Sequence, residues 1–368
     1  MDDAHGTRSD SPSVPPLRML YLYISGGCNL RCRHCWITPG YDPDASSAAY
    51  LPLEILEAAV EEAIPLGLGS VKLTGGEPML HPRFGRIVDL LASKRIGIMM
   101  ETNGTLLDAP AARMMRESGV FGTISVSVDG ACGETHDSLR GIDGSFEMAL
   151  EGIRRLVSEG FRPQMICTLH EGNAAEMHGV VALAADLGCG SVKFNHVQVV
   201  GRGEGMPGRL PLTRLLELYR NLRKTAHDFP RLRIVFDIPP AFRSVGELLE
   251  GGAGSCRILG ILGILPGGEM AMCGIGTAIP DLVYGRLPDD GLAEVWAGSP
   301  GLRELRRIIP DSITGVCAGC IHRNACMGVC PAGNYHRTGR LDVSYSFCEE
   351  AAASGLFPET RLFGPPTG

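Results

Sequence analysis

The sequence predicts an α/β fold, a partial (β/α)6 barrel followed by a small cysteine-rich domain. Short apolar runs alternate with amphipathic stretches from about residue 19 to residue 197. This alternation stops after Pro239–Pro240, where cysteines become frequent. Six strand–helix units in series favour a parallel sheet with helices on its outside, and repetition this regular favours a barrel over a doubly wound sheet.

Each predicted strand is a short apolar or β-branched run bounded by turn-forming residues. The six strands are Leu20–Ile24, Ser70–Thr74, Gly97–Glu101, Thr123–Val128, Gln164–Leu169 and Ser191–Val197. Between them, apolar residues recur at the spacing of one helix face, as Leu53, Leu56 and Val60 do. The predicted helices are Pro52–Ile64, Pro82–Ser93, Ala109–Ser118, Phe146–Ser158 and Ala174–Asp186, with another at Leu212–His227 after the glycine-rich stretch Gly201–Gly208.

The end of the strand–helix alternation, together with the cysteines that follow, predicts a domain boundary near residue 238. We expect a flexible tail over 1–17, the barrel over 18–238, the cysteine-rich domain over 239–350 and a second tail over 351–368. Within the second domain, Ile261–Cys273 predicts a hairpin that turns at Pro266–Gly268. Residues 317–348 are expected to be loop-rich and held together by metal.

Composition excludes several classes of protein. The 368 residues are 44% hydrophobic and 20% charged, with a formal net charge of −7, and no basic run suggests nucleic-acid or membrane-surface binding. The first sixteen residues are polar and Pro-rich and lack the apolar core of a signal peptide. No apolar run approaches the roughly 20 residues that span a bilayer. We therefore expect a cytoplasmic protein without nucleic-acid or membrane partners.

Ten of the thirteen cysteines fall into two groups, one of three and one of seven. A long chain without an export signal is not a secreted disulfide scaffold, so grouped cysteines indicate metal or cluster ligation. The remaining three, Cys132, Cys167 and Cys189, are expected to be buried as small hydrophobic residues.

The first group, Cys28, Cys32 and Cys35, has the spacing C-x3-C-x2-C and directly follows the first strand. Three thiolates can bind three irons of a four-iron cluster, which leaves the fourth iron open for a small molecule. Zinc is the alternative, but it would need a fourth ligand nearby, and His34 lies between cysteines in an awkward direction.

This run, placed after the first strand of a β/α chain, resembles the signature of the radical S-adenosylmethionine (SAM) superfamily. The resemblance implies that the open iron binds the amino and carboxylate groups of SAM. It also implies that an electron from the cluster cleaves SAM to a 5′-deoxyadenosyl radical, which takes a hydrogen atom from the substrate. The cofactor performs this chemistry, while the protein positions it and excludes water. On this resemblance the barrel is of the radical SAM type.

Segments at later strand ends resemble the SAM-holding motifs of the same family. Thr74–Pro78 resembles its GGEP motif, which contacts the SAM amino group, and Glu101–Gly104 lies where the family contacts the ribose. The run from Ser125 through Asp129 to Arg140 resembles relatives in which Ser and Arg bind SAM. The residues that this resemblance places in the SAM pocket are His34, Gly75, Gly76, Glu77, Thr102, Asn103, Ser127 and Arg140.

The second group of cysteines resembles the SPASM domain at all seven positions. The resemblance implies two auxiliary four-iron clusters, and hence three [4Fe-4S] clusters in the chain. It places Cys256, Cys273 and Cys330 on the first, and it places Cys317, Cys320, Cys326 and Cys348 on the second. A pair of structural zinc sites is the alternative.

Only three motif cysteines are available for the first auxiliary cluster, and Arg257–Glu269 contains no further one. Its fourth iron is therefore expected either to bind a substrate thiolate or to be closed by water, a carboxylate or a spare cysteine. Thiolate is the natural ligand for such an iron.

Enzymes with these seven cysteines include anaerobic sulfatase-maturating enzymes, maturases of ribosomally made peptides and some haem or quinone cofactor maturation enzymes. The sulfatase-maturating enzymes place an Asp directly after the second cysteine of the domain, whereas Gly274 follows Cys273 here. We therefore expect peptide modification, with a thioether crosslink favoured over a carbon–carbon crosslink or epimerisation. Sulfatase-type or haem/quinone cofactor maturation is the alternative, and the non-enzymatic alternatives are an iron–sulfur electron carrier and a zinc scaffold.

The expected partners follow from this function. They are a peptide substrate and a flavodoxin- or ferredoxin-like electron donor. The barrel begins near residue 18, which leaves no room for an N-terminal domain that binds a leader peptide. A separate leader-binding protein or an exposed edge strand is therefore expected as well.

Overall fold

A row of seven parallel strands forms the wall of a partial barrel in the computed structural model, which describes residues 14–47, 49–251 and 256–363. Each strand pairs in parallel with the next along the chain. The strands are β1 (Met19–Ser25), β2 (Ser70–Gly75), β3 (Gly97–Thr102), β4 (Phe121–Ser127), β5 (Gln164–Leu169), β6 (Ser191–His196) and β7 (Arg233–Phe236). The predicted α/β class and partial barrel are confirmed.

The helices that cover the barrel lie between successive strands. They are α1 (Leu53–Ala63), α2 (Phe84–Ser93), α3 (Ala109–Ser118), α4 (Gly133–Arg140), α5 (Ser145–Ser158), α6 (Met177–Asp186) and α7 (Leu212–Thr225). Helix α3 has the predicted ends, and each end has a capping residue. Asp108 accepts a hydrogen bond from Ala111 N at its start, and Gly119 adopts the left-handed conformation at its end.

Alternation along the strands separates the core from the barrel interior. In β2, Val71 and Leu73 are fully buried within the main hydrophobic core, while Lys72 and Thr74 lie on the opposite face. That face carries polar groups in the neighbouring strands too, such as Ser127 in β4 and Lys193 in β6. The interior of the barrel is therefore polar at its carboxyl end.

The predicted hairpin in the cysteine-rich part extends the barrel sheet. Strands β8 (Ile261–Ile264) and β9 (Glu269–Ala271) pair antiparallel, and β10 (Val283–Arg286) follows β9. Strand β8 also pairs in parallel with β1, with Met19 opposite Ile261. The ten-stranded sheet therefore has the order β10-β9-β8-β1-β2-β3-β4-β5-β6-β7 and continues past residue 238.

The rest of the described chain contains short helices. They are α8 (Val245–Gly251), α9 (Leu292–Gly298), α10 (Pro300–Ile308), α11 (Arg323–Cys326), α12 (Pro331–Thr338) and α13 (Ser346–Ala353). Residues 317–348 are thus more helical than expected. Within the described residues, no helix is long and apolar enough to cross a membrane.

Both expected tails contain residues that pack against the protein. Residues 1–13 lie outside the described part of the chain, but Leu17 is fully buried and Trp296 Nε1 donates a hydrogen bond to Pro15 O at 2.9 Å. At the other end, the Phe357 ring lies 5.7 Å from that of Phe242. The described residues 351–363 are therefore not a free tail, because the apolar Phe357 is buried against the body of the protein.

Candidate active site at the carboxyl ends of the strands

The loop after β1 brings its three cysteines to one end of a cavity of about 270 Å³. Cys28, Cys32 and Cys35 all line this cavity, and Cys28 and Cys32 are buried. A turn holds the loop, because Cys35 N donates to Cys32 O at 3.4 Å. Leu30 N also donates to Cys28 Sγ at 3.4 Å, a contact that favours a thiolate.

The surroundings of these thiols fit an iron–sulfur cluster. Burial raises the pKa of Cys28 to about 12 and also raises that of Cys32, so the thiols are protonated at neutral pH without a metal. A bound metal deprotonates a coordinating thiol outright. Arg140 NH1 lies 3.6 Å from Cys32 Sγ and supplies a cation beside the resulting negative charge.

Two glycines at the end of β2 allow the backbone of this segment to reach the cysteine loop. A side chain at Gly76 would place its Cβ 1.9 Å from Gly27 O, and Gly75 has a φ of 126°. Gly76 N donates to Ser25 O at 2.8 Å. Both glycines also line the cavity. Because they have no side chain, their backbone lies close to the cysteine loop and is open to the cavity.

Glu77, which was expected to contact the SAM amino group, does not line the cavity. Its side chain is fully buried. It accepts hydrogen bonds from Thr102 Oγ1 at 2.7 Å, Asn103 N at 2.8 Å and Met79 N at 3.1 Å. Burial raises its pKa, and these hydrogen bonds oppose that rise. The geometry makes Glu77 a positioning residue for the segment after β3.

The residues positioned by Glu77 do reach the cavity. Thr102 and Asn103 line it, as do Ser127 and Arg140 from the next strand–helix unit. Asn103 Nδ2 donates to Asn29 Oδ1 at 2.8 Å and lies 3.9 Å from Cys28 Sγ. The ends of β3 and β4 therefore adjoin the cysteine loop directly.

Asp129, which had no role in the sequence-based prediction, organises the side chains beneath the cavity. Its Oδ2 lies 2.6 Å from Arg140 Nε and 3.7 Å from His34 Nε2. Burial disfavours the carboxylate, but Arg140, with His34 and His136, outweighs burial and lowers the pKa of Asp129 to about 2. Burial lowers the pKa of His34 to about 4, so its imidazole is neutral. His34 lines the cavity.

The opposite wall of the cavity was missed by the sequence analysis. It is formed by the ends of β6 and β7 and the loop after β6, and its polar residues are Lys193, Asn195, His196, Gln198, Arg202 and Asp237. Lys193 and Asn195 alternate with the buried Val192 and Phe194, which is the one signal that could have identified them. Asp237 escaped notice because β7 itself was not predicted.

Three cysteines of the second group influence one another's thiols. The Cys330 thiol adds to burial in raising the pKa of Cys256 to about 12, and both thiols act in the same direction on Cys273. Cys330 precedes α12, where its sulfur accepts a hydrogen bond from Gly333 N at 3.3 Å. Asp237 and Cys330 are also close enough for the carboxylate to raise the pKa of Cys330, although burial contributes most.

The other four cysteines of the second group form a separate cluster. Burial raises the pKa of Cys326 to about 11, with further contributions from Cys317 and Cys320, and the same two thiols act on Cys348. These four are all buried. Among the described residues, no group of three or more His, Cys, Asp or Glu side chains is arranged to hold a single metal ion.

The three remaining cysteines differ in their surroundings. Cys167 and Cys189 are buried, as expected. Cys132 is exposed, so its predicted burial was wrong. It lies in the loop between β4 and α4, outside the apolar faces that strands and helices present to the core.

Comparison with known proteins identifies a family model and several relatives that resemble this chain. Residues 22–184 match the model of the radical SAM superfamily. An AdoMet-dependent heme synthase of Methanosarcina barkeri is 28% identical over 351 residues, covering 90% of this chain and 96% of the relative. Mycofactocin maturase MftC of Mycobacterium tuberculosis is 27% identical over 347 residues, covering 93% of this chain and 85% of the relative.

The fold is also shared with a solved structure, Streptococcus suis SuiB bound to its precursor peptide SuiA. The TM-score is 0.73 at 16% identity, over 91% of this chain and 76% of that one. At this identity the similarity concerns the fold alone. The superfamily match spans the cysteine loop and the ends of β2 to β5 that line the cavity with it. Residues 22–184 therefore form a radical SAM domain, and the radical SAM family binds SAM and a [4Fe-4S] cluster.

Proposed function

We propose that this enzyme modifies a ribosomally made peptide that binds between the cysteine loop and the wall formed by β6 and β7. The observation that carries the proposal is the polarity of that wall, which presents Lys193, Asn195, His196, Gln198 and Asp237 to the cavity. A peptide offers amides and polar side chains to such groups. A tetrapyrrole would present broad flat apolar faces and would need apolar walls. Peptide modification is therefore favoured over haem maturation.

The site residues have separate roles in this proposal. When bound, the cluster and SAM supply the radical that takes a hydrogen atom from the substrate. Cys28, Cys32 and Cys35 would hold the cluster, and Arg140 would offset the charge of Cys32. The SAM-facing groups are Thr102, Asn103, Ser127, His34 and the backbone of Gly75 and Gly76.

In this proposal His196 accepts a proton from the substrate. Its ring lines the cavity and its Nε2 lies 3.0 Å from the Tyr345 hydroxyl. Burial lowers its pKa, although Asp237 opposes the shift, so the imidazole is neutral at pH 7. A neutral imidazole within reach of the substrate is the usual general base.

Within peptide modification, a thioether bond is the favoured product. The first auxiliary centre would have three cysteine ligands for four irons, which leaves one iron for a substrate thiolate. Asp237, whose charge contributes to the raised pKa of Cys330, is the carboxylate that we propose as the alternative ligand of that iron. A modified peptide that contains no cysteine would rule out the thioether and leave peptide modification intact.

Sulfatase-type maturation is disfavoured by the surroundings of Gly274. A Cβ at this position would lie 2.3 Å from the Tyr23 ring. The place that an Asp side chain occupies in the sulfatase-maturating pattern is therefore filled by Tyr23. This steric conflict strengthens the sequence-based argument against that activity.

The test of the proposed function is an anaerobic assay with reductant, SAM and short peptides encoded beside the gene. The expected result is peptide modification by mass spectrometry, with a crosslink recognised by the loss of two hydrogen atoms and a thioether distinguished from a carbon–carbon crosslink by the loss of one free cysteine thiol. The Cys28→Ala, Cys32→Ala, Cys35→Ala variant should form no 5′-deoxyadenosine but should retain the iron of the auxiliary clusters. Turnover of an iron porphyrin with no change in any peptide would overturn the proposal in favour of haem maturation.

A further inference from the structure

Lys72 is a charged residue inside the barrel that the proposed function does not use. It lies in the middle of β2, and 18% of its side chain is exposed. Its Nζ lies 2.8 Å from Glu101 Oε1, and Thr74 Oγ1 donates to the other carboxylate oxygen at 3.4 Å. Burial opposes the charge of Lys72, but Glu101 outweighs burial and raises the pKa. Lys72 is therefore a stable cation.

The carboxylate of this pair faces the SAM cavity. Glu101 lines the cavity, and 42% of its side chain is exposed there. Burial favours its neutral form, but Lys72 and then Lys193 act against burial, and the pKa of Glu101 is lowered. Lys72 and Glu101 thus form an ion pair with one end open to the site where SAM and substrate meet.

The cation of the pair faces the first auxiliary site. In the sheet register, Gly263 of β8 lies opposite Tyr21 of β1, and Tyr21 lies opposite Lys72. Neighbouring strands are about 4.8 Å apart. Lys72 Nζ lies 4.6 Å from the centre of the Tyr21 ring, and a Cβ on Gly263 would meet Cys273 Cα at 3.0 Å. One aromatic ring therefore separates Lys72 from the segment that carries Cys273.

The charge of Lys72 lies one aromatic ring away from the segment that carries Cys273, a ligand of the proposed cluster. A charge acts more strongly across a barrel interior than across water, because the effective dielectric constant there is lower. The cation is thus positioned to act on the charge of a cluster held at this segment.

We propose that Lys72 raises the reduction potential of the cluster held by Cys256, Cys273 and Cys330, and that Glu101 moderates this effect from the SAM cavity. The inference rests on the proposed cluster at these cysteines. Reduction adds a negative charge to a cluster, so a nearby cation favours the reduced state, and net charge is one determinant of cluster potentials. Lys72 is a positioning residue in this role, because it touches neither substrate nor SAM.

The alternative is that the pair serves only to fill and order the barrel interior. Buried ion pairs often contribute to specificity of structure without any redox role. The two roles are separated by the reduction potential of one cluster, which a purely structural pair would leave unchanged.

The experiment is a redox titration of the reconstituted full-length enzyme, followed by electron paramagnetic resonance, without SAM or peptide. Cys256→Ala and Cys273→Ala variants identify the signal of the first auxiliary cluster. Lys72→Met should shift that signal alone to a more negative midpoint potential, and Lys72→Arg should leave it unchanged. The matched control is Lys94→Met, because Lys94 pairs with Glu61 at 2.6 Å far from the cavity wall.

Glu101→Gln keeps Lys72 and should shift the same signal to a more positive potential. If Lys72→Met fails to retain iron, the midpoint potential measured in Glu101→Gln tests the inference in its place. Unchanged potentials in Lys72→Met with full iron content, or equal shifts of all clusters, would overturn the inference. So would an unchanged potential in Glu101→Gln. Because no peptide is present, failure here is distinct from failure of the proposed peptide modification.

Discussion

Arg140 and Asp129 form a buried ion pair beneath the candidate SAM site, with Arg140 Nε 2.6 Å from Asp129 Oδ2. Asp129 follows β4 and Arg140 ends α4, so the pair ties a strand end to the helix after it. Arg140 also reaches Cys32, and the pair therefore connects the barrel to the cysteine loop.

Asp129→Asn should destabilise the protein strongly, because it leaves the Arg140 charge buried without its partner. Breaking a buried pair in this way costs about 3–5 kcal/mol. For a chain of this size, we expect the melting temperature of the anaerobic protein to fall on the order of 5 °C. Glu54→Gln is the control, because Glu54 pairs with Arg83 on the surface at 2.8 Å, where a pair contributes less than about 1 kcal/mol. Equal melting temperatures for the two variants would contradict the prediction.

The ion pair of Asp129 and Arg140 should also change how the stability of the protein depends on pH. Arg140 holds the pKa of Asp129 at about 2 against the opposing effect of burial. A carboxyl whose pKa is lower in the folded state stabilises the protein above its ordinary pKa near 4, and this stabilisation is lost as the pH falls towards 2. Metal-free protein should therefore lose stability over that range more steeply than its Asp129→Asn variant, as measured by circular dichroism. Parallel acid-unfolding curves would show that another group is responsible.

Glu77→Gln should weaken SAM binding by displacing Thr102 and Asn103. Thr102 Oγ1 and Asn103 N donate to different oxygens of Glu77, so the NH2 of the amide takes the acceptor from one of them, and an unsatisfied buried donor costs about 1–3 kcal/mol. If about half of this cost weakens SAM binding, the dissociation constant rises about 2- to 10-fold. Equilibrium dialysis with labelled SAM measures it. Thr102→Val should also weaken SAM binding. If Thr102→Val binds SAM normally while Glu77→Gln binds it much more weakly, Glu77 contacts SAM directly.

His196→Gln should uncouple SAM cleavage from peptide modification. Loss of a general base lowers the rate about 100-fold or more, while the cysteine loop and the SAM-facing residues are untouched. We expect 5′-deoxyadenosine to form at a near-normal rate, with little modified peptide by mass spectrometry. His178→Gln is the control, because its ring packs on Phe229 at 5.9 Å outside this cavity. A fully coupled His196→Gln enzyme would remove His196 from the mechanism.

Gly274→Ala should disturb the first auxiliary site, because its Cβ would overlap the Tyr23 ring. Overpacking of this kind costs about 1–3 kcal/mol. We expect a lower melting temperature and less bound iron, and Tyr23→Leu in the same chain should restore both by opening space. Gly298→Ala is the control, because nothing lies within 4 Å of a Cβ there. Full iron content in Gly274→Ala would show that the loop moves aside at little cost.

Local patterns were sufficient for much of the fold. The strand Gln164–Leu169 and the helix Ala109–Ser118 have the predicted ends, because side-chain periodicity and capping residues act within a few positions. The strand Arg233–Phe236 was missed because it is four residues long and largely half-exposed, which leaves no clear alternation. Helix Gly133–Arg140 was missed because its composition is mainly polar.

The sequence by itself determined which residues can carry the chemistry, since the spacing of the ten grouped cysteines and the glycines after β2 are properties of the chain alone. Only the tertiary structure decided how the side chains are oriented and paired. It turned Glu77 towards Asn103, and it placed Lys72 beside Glu101. It also joined Ile261 to Met19 across the closing edge of the sheet. Such contacts depend on strand register and on packing between residues that are far apart along the chain, and no local pattern encodes either.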